Sequence, residues 1–505
     1  MTTPVMLALG LSIILYLALG LRYSALVHGL GDVLPLLFGR NARVDNYREF
    51  AASTVAATIS LATVVVAFYE LVPSLGLWLL WTAVTTAAGL IVFSALVGRI
   101  WQKMSAYDYR PTLHAYLGTE FGSGRLAVVA SVCTAIGYLS AFAVELTVGS
   151  RFLAGLIPQI PQLLTVILIA VISFVYTSLG GFRVVVVTDR IQMWFIWLLI
   201  GSMGAYYVFA ASRNGWPLSL HRIPIDLRTF TWNKGLLPFV LGIAVMNLLT
   251  YVSNMGLWQR VAGSQRPEVA TRGMFSSVFV AAASWSLLVL TAVGAFMFVK
   301  MIPGENLLVT VLKSMQGSLF GKSVIFFVVL GLYGAMLSTA STQLIAVSHT
   351  IYEDIIARFR KADVHERANL RIEAFWSRLV LVICAVIAVG VVECLRFWGF
   401  TVADLAFSVY GAALGLVPPI VLTLFLPRNV TQRLSVAATC AVTFGFLSCW
   451  GAASYGRATG NANLVFLSPI VSTVSASLIM AVGILVVRRS WIATGENTAE
   501  RSEHV

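Results

Sequence analysis

Two stretches of the chain gather hydroxyl side chains among small apolar residues. AASTVAATISLAT (51–63) carries Ser53, Thr54, Thr58, Ser60 and Thr63, and LSTASTQ (337–343) carries Ser338, Thr339, Ser341 and Thr342. Hydroxyls and bare carbonyls are ligands for a hard cation. A helix unwound near AATIS (56–60) would expose carbonyls that hydroxyls from the second stretch could complete into an oxygen cage. Ordinary helix packing, which also favours small hydroxylated residues, accounts for the same composition. At this level both readings stand.

Carboxylates inside apolar runs are costly and therefore informative. Glu70, Glu145, Asp189, Glu393 and Asp404 qualify, and all but Glu145 sit at run ends, where capping or solvation suffices. Glu145, in AFAVELTVGSR, is the deepest and is expected to face a cavity or pair with a neighbour. For Asp189 the local reading is a helix cap made by Thr188 or Asp189, with Arg190 as partner. Nothing predicts catalysis. The six His are scattered, and no H-E-x-x-H, G-x-S-x-G or phosphate loop occurs. The five Cys form no C-x-x-C pair, so neither a disulfide framework nor a metal cluster is expected.

The elements that carry these residues follow from composition. Of 505 residues, 59% are hydrophobic and 11% charged, against about 25% charged in soluble domains. That excludes a soluble enzyme, a nucleic-acid binder and a disordered chain. A membrane helix needs about 20 apolar residues. Thirteen runs qualify, near 4–21, 49–71, 75–98, 125–153, 161–180, 184–211, 236–256, 273–299, 323–350, 377–395, 402–426, 433–452 and 465–487. The first run has no Lys or Arg before it and reads as a retained span, not a signal peptide. With the N-terminus outside, 23 Lys and Arg fall on the cytoplasmic side and 10 outside. The net charge of +13 is therefore mainly a topology signal: a multi-pass protein of the cell membrane, N-terminus out and C-terminus in.

Four stretches resemble the sodium:solute symporter family: PTLHAYLGTEFGS (111–123), YTSLGGFRVVVVTDRIQ (176–192), WQR (258–260) and AMLSTASTQLIAVSHTIYEDI (335–355). The resemblance implies an all-α fold of LeuT type. Spans 2–6 (47–211) and 7–11 (235–426) would form a five-plus-five inverted repeat. The first helix (1–22) and helices 12–13 (432–487) would be peripheral, with a tail at 488–505. It places a Na+ site on the carbonyls of Ala56, Ile59 and Ala335 and the hydroxyls of Ser338 and Thr339. Asp189 would lie on the ion's exit path. It places the solute among Thr58 and Thr63 of span 2, Tyr138 and Glu145 of span 4, Asn247 and Tyr251 of span 7, and Ser408 and Tyr410 of span 11.

Val64, Val65 and Val66 stand where many members have Gly, so a short break is expected. Asn254 and Met255 replace an acidic residue and Gln. The implied activity is Na+-coupled symport of a small, moderately polar solute, an amino acid or organic acid. Amides of a broken helix could receive a solute carboxylate. A proton-coupled carrier of the same fold, or a transporter-like sensor acting through a partner, are the alternatives. The expected partners are the solute, Na+ and the bilayer, and no nucleic acid.

Overall fold

Backbone in lipid must satisfy its own polar groups, so the apolar runs are expected to form helices with interruptions only where protein covers them. A computed structural model describes residues 2–25, 44–107, 111–214, 230, 232, 234–299, 306–359, 370–398 and 402–502. Its first helices are α1 (Thr2–Ala25), α2 (Tyr47–Thr58), α3 (Ala67–Leu75), α4 (Leu80–Ser105), α5 (Leu113–Glu120), α6 (Gly124–Leu156) and α7 (Gln162–Asn214). Then come α8 (Leu237–Ser253), α9 (Met255–Gly263), α10 (Pro267–Phe298), α11 (Leu307–Ser314) and α12 (Leu319–His349). Last are α13 (Leu370–Trp398), α14 (Val402–Ala412), α15 (Val417–Phe425), α16 (Arg428–Arg433), α17 (Ser435–Ala458) and α18 (Ala462–Ser502). No sheet forms among the described residues, where Val44 and Ser264 pair in one parallel bridge.

Eleven helices among the described residues are long and apolar enough to cross a membrane. The expected count was thirteen. The difference has two sources: Val64–Ser105 runs on as one apolar stretch through the end of the second expected span and the third, and the tenth expected span lies within the 29-residue α13, of which Arg378–Val392 is described as an apolar stretch.

The α7 stretch is two spans joined at Gly181, whose φ of 56° and ψ of −151° suit only a residue without Cβ. The Gly180–Gly181 pair inside the stretch 176–192 thus marks a sharp turn between helices. The α12 region is the centre of the bundle, with 83% of its span buried, while Ala462–Arg488 has 17% buried and leaves Leu478, Val482 and Val486 facing outward. Those outward apolar side chains are what a lipid-facing helix presents.

Candidate functional site

The second span breaks after α2. The Ile59 N–H reaches back to both Val55 O and Ala56 O at 3.2 Å, and Ile59 itself leaves the helix at φ −96°, ψ 85°. Ser60 follows, and then a π-helix, Leu61–Val66, in which Val65 N donates to Ser60 O at 3.1 Å. β-Branched Thr58 and Ile59, and a Ser whose hydroxyl bonds elsewhere, weaken the helical ladder here. The interruption is two residues long.

Across this break lies α12. The Thr339 hydroxyl stands 3.5 Å from Ile59 O and 3.2 Å from Ala335 O. Both distances exceed the usual 2.7–2.8 Å for O–H···O. Oxygens at right angles around a hard cation held at ~2.4 Å would stand ~3.4 Å apart. Ser338 donates to Asp189 Oδ1 at 2.6 Å, which leaves its oxygen lone pairs unused by that bond.

Asp189 is fully buried, and its partner is not the expected one. Arg190 is exposed, and Asp189 Oδ2 instead accepts from Arg260 Nη2 at 2.9 Å and from Ser53 Oγ at 2.5 Å. Nor do Thr188 and Asp189 cap a helix. That helix begins at the Gly181 turn, and the Thr188 hydroxyl donates within it to Val184 O and Val185 O. Arg260 also donates to Ser53 Oγ, Gly256 O and Thr342 Oγ1. Seventy-one residues of sequence separate Asp189 from Arg260, so neighbouring residues gave no sign of the pair.

The seventh expected span is broken too, at Asn254, between α8 and α9. Asn254 (ψ 105°) caps α9 by accepting from Leu257 N at 3.0 Å, and the Trp258 indole donates to the freed Val252 carbonyl at 2.8 Å. An Asn able to cap a helix, inside SNMGLW, was the available signal and was not read as a break.

One helix holds both breaks. On α6, Tyr138 donates to Asn254 Oδ1 at 3.1 Å and accepts from Gly256 N at 3.2 Å. Two turns further along the same face, the Glu145 carboxyl accepts from the Ser60 hydroxyl, and the N–H groups of Leu61 and Ala62 face it, Ala62 N at 3.4 Å. The backbone amides expected to receive a solute carboxylate are therefore already held by a carboxyl of the protein.

Between the breaks lies a cavity of about 110 Å³. Of the expected solute residues, Thr58, Asn247, Tyr251 and Tyr410 line it. Glu145 does not, being turned to the break. Tyr138 lines instead a smaller cavity of about 30 Å³. Ser408 lines neither, its hydroxyl donating to Leu405 O at 3.2 Å. The side chain of Thr63 lies outside the described residues.

The Asn247 amide N–H₂ is committed to Thr82 O, Thr85 Oγ1 and Thr86 Oγ1 on α4, at 3.0–3.3 Å. Sequence reading missed the aromatic wall of the larger cavity: Phe68, Phe239, Trp285 and Phe407. Two lining residues, Thr250 and Trp285, each carry a buried polar atom, Oγ1 and the indole nitrogen, with no protein partner. Thr250, Asn254 and Tyr410 line both cavities and form the partition between them.

From the break, the larger cavity follows Val64, Phe68 and Leu71 away from the Arg-rich end of the bundle. That end is cross-linked by polar contacts. His114 Nδ1 and Thr112 Oγ1 hold Asp354 at 3.1 and 2.6 Å, Arg183 pairs with Glu49 at 2.9 Å, and Lys103 pairs with Glu120 at 3.0 Å. Arg358 and Arg428 add bonds to Gly124 O and Thr119 O.

An all-helical membrane bundle in which two interrupted helices flank a shared cavity is a secondary transporter of LeuT-type fold. A model of the sodium:solute symporter family matches residues 48–433, and the chain belongs to that family. Solved structures share the fold. A Na+-coupled sialic acid symporter in a substrate-bound outward-open state is 14% identical, covering 96% of this chain and 97% of its own at a TM-score of 0.72. MhsT in complex with L-phenylalanine is 13% identical, covering 88% and 99% at a TM-score of 0.52. Mhp1, a nucleobase-cation-symport-1 family transporter with bromovinylhydantoin bound, is 14% identical, covering 89% and 94% at 0.50. No curated protein matches the chain in sequence. Those three proteins bind unlike solutes, so the fold alone does not select one.

Proposed function

We propose that this chain is a Na+-coupled symporter that moves a small organic solute by alternating access. The observation that carries the reading is the approach of Thr339 Oγ1, Ile59 O and Ala335 O from two different helices, with Ser338 beside them. All are neutral oxygens. Such a cage suits a hard cation, and none of its own oxygens titrates; the carboxylate beside it, Asp189, is already engaged by Arg260. Na+ there would bridge α2 and α12 and favour the conformation that keeps them together, which is how ion and solute binding become coupled. The membrane potential adds about 2.3 kcal/mol per charge per 100 mV to inward movement.

In this reading residues 47–211 and 235–426 are the two repeats that rearrange around the cavity, and 1–22 and 432–487 flank them. The Arg-rich end faces the cytoplasm, so the cross-linked end is the inner one and the cavity extends outward. Asp189, tied to Ser338, would sense whether the ion is in place and line its way to the cytoplasm.

The test is uptake and Na+ binding in proteoliposomes. The double substitution Ser338→Ala with Thr339→Ala is expected to lower Na+-stimulated uptake by on the order of 100-fold or more, about 2.7 kcal/mol, with the melting curve preserved. Undiminished uptake, or uptake in wild type that follows a pH gradient and ignores a Na+ gradient, would sink the proposal.

A further inference from the structure

The solute cavity has an electrostatic character that composition did not suggest. Among the described residues its lining holds no Lys, Arg, His, Asp or Glu, and six aromatic rings contribute to it: Phe68, Phe239, Tyr251, Trp285, Phe407 and Tyr410. Phe68 and Trp285 meet edge to face at 5.8 Å. Ser60 is on the cavity wall and donates directly to Glu145. Glu145 is 1% exposed, and none of the ion pairs among the described residues includes it. The other buried carboxylate of this region, Asp189, already has Arg260.

A buried carboxylate without a cationic partner is costly, and whatever cation enters nearby relieves that cost. Ring faces attract cations, most strongly when water is excluded. An anionic solute finds the opposite: no basic side chain in the lining, and the broken helix's amides already facing Glu145.

We propose that the transported solute is an organic cation, an amine or quaternary ammonium compound with an aromatic or branched apolar body. The rings of the cavity hold it, and Glu145 balances its charge from behind Ser60. This replaces the organic acid or amino acid expected from sequence. It rests on the reading of the larger cavity as the solute site.

Thermal stabilisation of the full chain in lipid nanodiscs, in Na+ buffer, tests it with four probes sharing one body: phenylethylamine, 2-phenylethanol, phenylalanine and phenylacetate. The expected order is amine first, alcohol second, phenylalanine and phenylacetate weakest. Glu145→Gln should erase the advantage of amine over alcohol, a change on the order of tenfold, about 1.4 kcal/mol. If phenylacetate or phenylalanine binds as tightly as the amine, or the amine does not bind, the proposal is overturned. It is also overturned if Glu145→Gln weakens stabilisation by Na+ alone and leaves the amine-to-alcohol ratio unchanged, since Glu145 then serves the ion. Should that variant not fold, the wild-type order decides. Stabilisation by Na+ alone, lost in the Ser338→Ala, Thr339→Ala variant, reports separately on Na+ coupling, so either idea can fail without the other.

Discussion

Arg260 draws four helices to one point: Ser53 on α2, Asp189 on α7, its own α9, and Thr342 on α12, with Ser338 of α12 bound to the same carboxylate. Removing one member of a buried pair leaves an uncompensated charge, which costs about 3–5 kcal/mol, while replacing both with neutral groups costs far less. Arg260→Ala is therefore expected to lower the melting temperature markedly. The double variant Asp189→Asn, Arg260→Gln should recover much of it, measured by thermal unfolding in detergent. If the single variant melts like wild type, the pair is not what holds these helices. The double variant is also expected to lose part of its Na+ response, because Ser338 is oriented by the carboxylate.

Among the elements, α6 acts as a strut between the two interrupted helices, through Tyr138 at one break and Glu145 at the other. Tyr138→Phe deletes the hydroxyl that accepts from Gly256 N, at a cost of about 1–3 kcal/mol when such a group is buried, while Asn254 Oδ1 keeps Leu257 N. Hydrogen exchange across 252–258 should quicken while exchange in α10 stays unchanged. Unchanged protection of that segment would show that the break holds itself. At the turn between the two halves of α7, Gly181→Ala places a Cβ at φ 56° and should cost about 1–3 kcal/mol. A stability equal to wild type would mean the turn relaxes.

At the scale of the molecule, the Lys103–Glu120 and Arg183–Glu49 ion pairs lie toward the Arg-rich end, where Asp354 is held by Thr112 and His114. Loosening that end should shift the population toward the opposite access state. Cys133, half-buried on the smaller cavity, is a natural reporter. In a background with the other four Cys replaced by Ser, Asp354→Asn is expected to speed thiol labelling of Cys133 several-fold from that side, with Na+ slowing it again. Labelling that ignores both the substitution and Na+ would deny the cross-linked end any gating role. The charge bias of 23 to 10 further predicts that a fluorescent protein fused at the C-terminus reports a cytoplasmic location.

The amino-acid sequence by itself determined that the chain lives in a bilayer, roughly where its helices lie, and which two stretches gather hydroxyls. These properties are local: hydropathy is summed over about 20 consecutive residues, and the family motifs are contiguous. The same holds for the short break beside Val64–Val66, since β-branching acts within a turn or two. Arg260 as partner of Asp189, Glu145 as the cap of a broken helix, and the aromatic wall were decided only by tertiary structure. Each depends on residues distant in the chain, 71 positions for Asp189 and Arg260 and 85 for Ser60 and Glu145, meeting across helix faces. Helical periodicity specifies which face a side chain occupies, but the rotation and crossing of helices are set by packing among all of them at once.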